Sequence, residues 1–301
     1  MKSFFLLFLF LSSTAFAQKT VPEGFSWVSP LDPAQAVDLT PRVRHAAFKS
    51  PSMKIDVGYY IYLPRAYGEN RGDRFPVVYA LHGGRPGGEH RIVRLANYID
   101  EAIEEGRLNP AIYVFPNGGP MSWYNYSPYK NGMSEDVFVK ETIPHIDQTY
   151  RTLGDQARGI EGYSQGGRGT TRIYFKYPDL FVSVAPGGSG YGPEKTIQEN
   201  DGWESDEIRF LPVGHNTWDL AAAHVRNRNR PTAPMLLWVG TKEEKQYPWN
   251  VKFSAYMDEL GIEHVFMPAP GLTHGSLPVY EMIGYAVMKF HESNFEKALV
   301  K

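Results

Sequence analysis

The chain has 301 residues, 14% of them aromatic, with no cysteine and a formal net charge of −2. That length is ample for one large core. The charge balance excludes a dedicated nucleic-acid binder, and the missing thiols exclude disulfides, a cysteine nucleophile and Cys-based metal sites.

Residues 1–17 read as a secretory signal peptide. Lys2 is followed by the apolar run "FFLLFLFL" and an A-x-A signal at 15–17, which sets cleavage before Gln18. The run is too short to cross a bilayer as a helix. The expected location is secreted or periplasmic, with no stable membrane insertion after cleavage. Residues 18–50 are Pro-rich and irregular, and are expected to form an arm on the surface of a single domain at 51–301.

"DVGYYIYLP" (56–64) alternates as a β-strand does, and "FPVVYALHGG" (75–84) suits a strand buried on both faces. Apolar residues at 92, 95, 99 and 103 predict a helix over 92–106, ended by Gly106. "AIYVFPNGG" (111–119) predicts another buried strand, and 134–150 a helix capped by Ser134. The alternation continues with "ARGIEGYS" as strand, 165–177 as helix and "FVSVAPGG" (181–188) as strand. It ends with "PMLLWVG" (234–240), helix 249–260, "EHVFMPAP" (263–270) and helix 278–296. Strand alternating with helix predicts an α/β fold, with a mostly parallel sheet covered on both faces and ligands at the carboxyl ends of its strands.

Those ends carry HGG, GxSxG, "GTKEE" and "GLTHG". Gly162-Tyr163-Ser164-Gln165-Gly166 lies between a predicted strand and a predicted helix, the setting of a nucleophile elbow. The helix then aims its N-terminal dipole at Ser164, where an oxyanion would form. Ser189, in "GGSGYG", does not complete the motif, because Tyr191 replaces the second glycine.

A serine hydroxyl needs a base. His274 is best placed, in a glycine-flanked loop after a predicted strand, whereas His82 of HGG is expected to serve backbone shape. The acid should fall between Ser164 and His274 in sequence. Glu243 is favoured over its neighbour Glu244, and Asp219 and Asp258 are the other carboxylates weighed. HGG at 82–84 would supply an N–H from Gly84 facing that of Gln165, forming an oxyanion hole.

These motifs resemble the α/β-hydrolase superfamily. More narrowly, the chain is similar to the esterase family that holds feruloyl esterases, acetyl xylan esterases, esterase D-type enzymes and enterochelin-esterase-like proteins. The resemblance runs from about Ser50 to His291. It is carried by "GYYIYLPRAY", "FPVVYALHGG", "EDVFVKETIPHIDQTYRT", "GIEGYSQGGRGTTRIYFKYPDLF", "WVGTKEEK" and "GLTHGSLPVYEMI". It implies Ser164 as nucleophile, His274 as base, Glu243 as acid by its offset from Gly240, and Gly84 and Gln165 as oxyanion donors. It also implies no cofactor and no metal, and His82, Glu89 and His90 do not follow HExxH spacing. Two positions depart from the family: Gln165 replaces an apolar residue, and Glu243 replaces an aspartate.

Trp123, Tyr124 and Tyr126, in the loop 117–129, are expected to flank the substrate. Tyr191, Trp203 and Trp218 are second candidates. The leading expectation is an exported serine esterase acting on feruloyl or acetyl groups of plant or algal polysaccharide. The alternatives are a siderophore or short-chain carboxylesterase, an acyltransferase, and a non-catalytic carbohydrate-binding module.

Overall fold

The structure, a computed structural model, describes residues 19–196, 211–227 and 232–300. The predicted signal peptide and Trp203 lie outside them. Strands β1 (Val43–Lys49), β2 (Asp56–Tyr62), β3 (Val77–Leu81), β4 (Ile112–Pro116), β5 (Arg158–Tyr163), β6 (Ser183–Gly187), β7 (Leu236–Gly240) and β8 (Val265–Ala269) form one sheet. Its order is β1-β2-β4-β3-β5-β6-β7-β8. β2 runs antiparallel to both β1 and β4, and every other pairing is parallel. The helices are α1 (Arg65–Glu69), α2 (Leu95–Glu104), α3 (Ser134–Val137), α4 (Ile143–Thr149), α5 (Gln165–Lys176), α6 (Tyr191–Thr196), α7 (Thr217–Arg226), α8 (Gln246–Leu260) and α9 (Ser276–Leu299).

The unbroken apolar runs have a direct cause. Successive side chains of a strand point to opposite faces, and helices cover both. Tyr59 and Ile61 of β2 and Val77, Tyr79 and Leu81 of β3 enter one core, shared with Ile173 of α5. Tyr60, Tyr62, Val78 and Ala80 enter the other, shared with Ile99 of α2 and Val287 of α9.

Three local differences from the expected elements follow, two of them with a direct physical cause. The expected arm is irregular only in part, because Val43–Lys49 pairs with β2 as the edge strand. Its pattern is weak in sequence because an edge strand buries little, and only Phe48 is buried in β1. The helix predicted over 134–150 is interrupted by a π-turn at Phe138–Thr142. Pro144 opens α4 there, and its missing N–H breaks the regular ladder. Helix α8 begins at Gln246, three residues before the predicted start.

The N-terminal segment is tied to the sheet through one buried carboxylate. Glu89 accepts the Ser29 N–H at 2.5 Å, His45 Nε2–H at 3.0 Å and Asn117 Nδ2–H at 2.8 Å. Burial alone would raise its pKa, but these hydrogen bonds outweigh it and hold the carboxyl below the ordinary range. A depressed folded pKa adds stability above the unfolded value of about 4.3, and that stability is lost as pH falls through the lowered value. Glu89→Gln should cost about 1–3 kcal/mol at pH 7. It should also flatten the fall in Tm between pH 5 and 3, read by thermal unfolding across that interval. A wild-type steepness retained in the variant would assign the acid sensitivity to other carboxylates.

Candidate active site

Strand β5 ends at Tyr163 and helix α5 begins at Gln165, leaving Ser164 alone to turn the chain. It does so at φ 59° and ψ −116°, a conformation that L-residues rarely hold. Two close approaches explain the flanking glycines. A Cβ on Gly162 would lie 2.5 Å from the Gly166 carbonyl oxygen, and one on Gly166 would lie 2.0 Å from that of Leu81. The Ser164 N–H donates to the Gly187 carbonyl at 2.8 Å, anchoring the turn to β6.

The loops after β7 and β8 meet beside it. Thr241 N–H donates to the Ala269 carbonyl and Lys242 N–H to that of Leu272, each at 2.9 Å, so the two loops are tied together. His274 Nε2 lies 2.9 Å from Ser164 Oγ, and its Nδ1 lies 2.5 Å from Glu243 Oε2. The carboxylate can only accept, so Nδ1 carries the hydrogen and Nε2 is free to accept from the Ser164 hydroxyl. Glu243 is buried, with 1% exposure, and its Oε1 accepts the Gly240 N–H at 2.7 Å and the Tyr163 hydroxyl at 2.6 Å. The longer glutamate arm therefore folds back over its own turn. Of the other carboxylates weighed, Glu244 is exposed, Asp219 is bonded to Asn216 in α7, and the Asp258 side chain is 75% exposed. None of these three meets His274.

Tyr163, which the sequence reading passed over, joins the pieces. Its hydroxyl donates to Glu243 and accepts the Gly275 N–H at 3.1 Å, and its ring stacks on His274 with centroids 5.0 Å apart. Burial, and then the contact with Glu243, raise its pKa, so the phenol stays protonated as a donor. Its position between Gly162 and Ser164 was the available sequence signal.

The HGG loop passes against the serine. A Cβ on Gly83 would lie 3.0 Å from Ser164 Cβ. Gly84 is exposed at φ 74°, and the Arg91 guanidinium lies against it. Among the described residues neither the Gly84 nor the Gln165 N–H has a protein acceptor. His82 is buried beneath the loop. Its Nε2 accepts the N–H groups of Gly118 at 3.0 Å and Gly88 at 3.3 Å, and its Nδ1 faces the Gly83 carbonyl at 3.0 Å. Burial pushes its pKa down to about 3, so the ring is neutral with its hydrogen on Nδ1.

The rings expected to receive substrate are packed inside the protein. Trp123, Tyr124 and Tyr126 have exposures of 0%, 4% and 2%, so the expectation of three wet platforms is corrected. Trp123 donates Nε1–H to the His82 carbonyl at 3.0 Å and fills the space over Gly169, where a Cβ would lie 2.7 Å from its ring. Tyr124 donates to Glu194 at 2.9 Å, under the Arg172 guanidinium 4.0 Å from its ring centre. That guanidinium also pairs with Glu194 at 3.1 Å, and unpaired burial of either charge would cost several kcal/mol. Tyr126 packs on Tyr129, with ring centres 4.6 Å apart. Tyr191 and Trp218 are buried too, both packed on Phe253. Among the described residues no three His, Asp or Glu side chains converge as a metal site, and no helix is long and apolar enough to cross a membrane.

A mixed sheet with a strained serine at its centre, and with histidine and acid loops on neighbouring strand ends, defines an α/β-hydrolase. Residues 50–258 match the "Putative esterase" family, and the chain belongs to it as a carboxylic ester hydrolase. A ferulic acid esterase is similar in structure at 21% identity, with TM-score 0.69, over 84% of this chain and 98% of its own. An S-formylglutathione hydrolase from Staphylococcus aureus is similar at 17% identity, with TM-score 0.67, over 83% and 98%. Endo-1,4-beta-xylanase Y of Acetivibrio thermocellus is 29% identical over 148 residues, 44% of this chain and only 13% of that protein.

Trp123→Ala should destabilise the protein by about 3–5 kcal/mol through the cavity it leaves. Thermal unfolding measures the loss. Activity per folded molecule should fall equally on aromatic and acetyl esters, and a selective loss on methyl ferulate would return the ring to the substrate.

Proposed function

We propose that the protein is an exported serine esterase that removes feruloyl or acetyl groups from plant polysaccharide through an acyl-enzyme on Ser164. The observation that carries this reading is the continuous chain from Ser164 Oγ through His274 to buried Glu243, at 2.9 and 2.5 Å. His274 takes the hydroxyl proton as Ser164 attacks the ester carbonyl, and returns it to the departing alcohol. Water then repeats the sequence to release the acid. Glu243 holds the imidazole tautomer and stabilises the imidazolium. The N–H groups of Gly84 and Gln165 receive the oxyanion, such donors being worth about 3–4 kcal/mol each.

The polysaccharide assignment draws on the similar ferulic acid esterase and xylanase Y, and export draws on the sequence of residues 1–17. A second reading, a short-chain or thiol-ester hydrolase, is favoured by one observation: the aromatic rings of the 117–129 loop are packed inside.

Ser164→Ala and His274→Ala should each lower kcat by several orders of magnitude with folding unchanged. Glu243→Gln should lower it by on the order of 10²–10⁴, and Glu244→Gln by less than about twofold. The measurement is hydrolysis of p-nitrophenyl acetate together with fluorophosphonate labelling. An unlabelled, inactive wild type would indicate a binding module. Assays on methyl ferulate, acetylated xylan and S-formylglutathione separate the two substrate readings. Turnover of the thiol ester alone would overturn the polysaccharide assignment.

A further inference from the structure

Ser122 and Trp123 are consecutive, fully buried and both at positive φ, 38° and 74°. Non-glycine residues hold such a backbone only where their surroundings over-determine it, and such positions concentrate at functional sites. Three bonds hold the turn in place. Ser122 N–H donates to Gly119 at 3.2 Å, Trp123 N–H to Gly118 at 3.0 Å, and Trp123 Nε1–H to the His82 carbonyl at 3.0 Å. The strained turn presents two groups toward the nucleophile. Ser122 Oγ–H donates to the Gly84 carbonyl at 2.6 Å, and the Ser122 carbonyl accepts Gln165 Nε2–H at 3.3 Å.

We infer that Ser122 is a positioning residue that holds both donors of the oxyanion hole, Gly84 and Gln165, in register with Ser164. The inference rests on the serine-esterase reading above. Gly84 has no side chain to resist rotation, so its two peptide planes must be fixed from outside. The plane that carries its N–H also carries the Gly83 carbonyl, which receives His82 Nδ1–H. The next plane carries the Gly84 carbonyl, which receives Ser122 Oγ–H. His82 and Ser122 therefore fix both planes, and the N–H direction follows because the peptide is planar. On the other side, the Gln165 side chain spans from Ser122 to Arg168, whose guanidinium donates to Gln165 Oε1. An apolar side chain after the nucleophile could not make this bridge. Ser122 touches neither substrate nor the reacting atoms in this arrangement.

The test compares Ser122→Ala with Ser122→Gly. Both lose the hydroxyl, but glycine accepts φ 38° without strain. The expected result is a roughly tenfold fall in kcat on p-nitrophenyl acetate in both variants, less than the 10²–10³ of deleting a donor outright. KM should change less than about twofold, since the oxyanion forms only in the transition state, and phosphonylation of Ser164 should slow in parallel. Ser122→Gly should melt at or above the temperature of Ser122→Ala while being equally slow. Wild-type kcat in either variant, or activity that recovers with stability in Ser122→Gly, would overturn the inference and leave a purely structural turn. Failure of the underlying reading is distinguishable, because the wild type would then hydrolyse no ester or would do so without needing Ser164.

Discussion

One residue held in an unfavourable backbone conformation organises this molecule. Ser164 must turn a strand into a helix within a single residue, and that turn brings α5 onto β3 and β5 at backbone-contact distance. Only glycine fits at 162 and 166 under that requirement. The cost of the turn is met by the sheet around it, with the Ser164 N–H bonded to β6 and its carbonyl accepting the Arg168 N–H within α5. A serine in an ordinary helix or strand would lie against its own backbone. Here the hydroxyl stands clear and faces loops from three other strands.

Around that point, rigidity is distributed unequally. The loops that carry Glu243 and His274 are joined by main-chain bonds and by Tyr163, whose phenol links Glu243 to the Gly275 N–H. The HGG loop is held from below by neutral His82 and from the side by Ser122. Farther out, Glu89 joins the N-terminal segment, β1 and the β4 loop at one carboxylate. Each layer uses a buried polar group satisfied by several partners, the arrangement in which such groups rigidify rather than destabilise.

The sequence made the elbow, HGG, His274 and the strand–helix alternation legible, because each combines a residue type with a required setting. It favoured Glu243 over Glu244 only by the offset from Gly240. They are adjacent in sequence, and only the turn that brings the Gly240 N–H onto one of them decides which is buried. Trp123, Tyr124 and Tyr126 were misread for a different reason. An aromatic loop looks the same whether its rings face water or core, and the space for Trp123 comes from the absence of a side chain at Gly169, far along the chain. Strand β1 was missed because an edge strand exposes enough of itself to blur its alternation. Tyr163 was in view inside the motif, but its role depends on a histidine and an acid that arrive from distant strands.

The three groups of the proposed relay stand in the chain in the order Ser164, Glu243, His274, and the proposed base follows the edge strand β8. A growing chain therefore carries Ser164 well before it carries His274. In the folded chain the imidazole's seat rests on the pairing of β8 with β7 and on the main-chain bonds between the two loops. On the proposed mechanism, a chain without β8 and the loop that follows it lacks the base, so ester cleavage depends on the completed sheet.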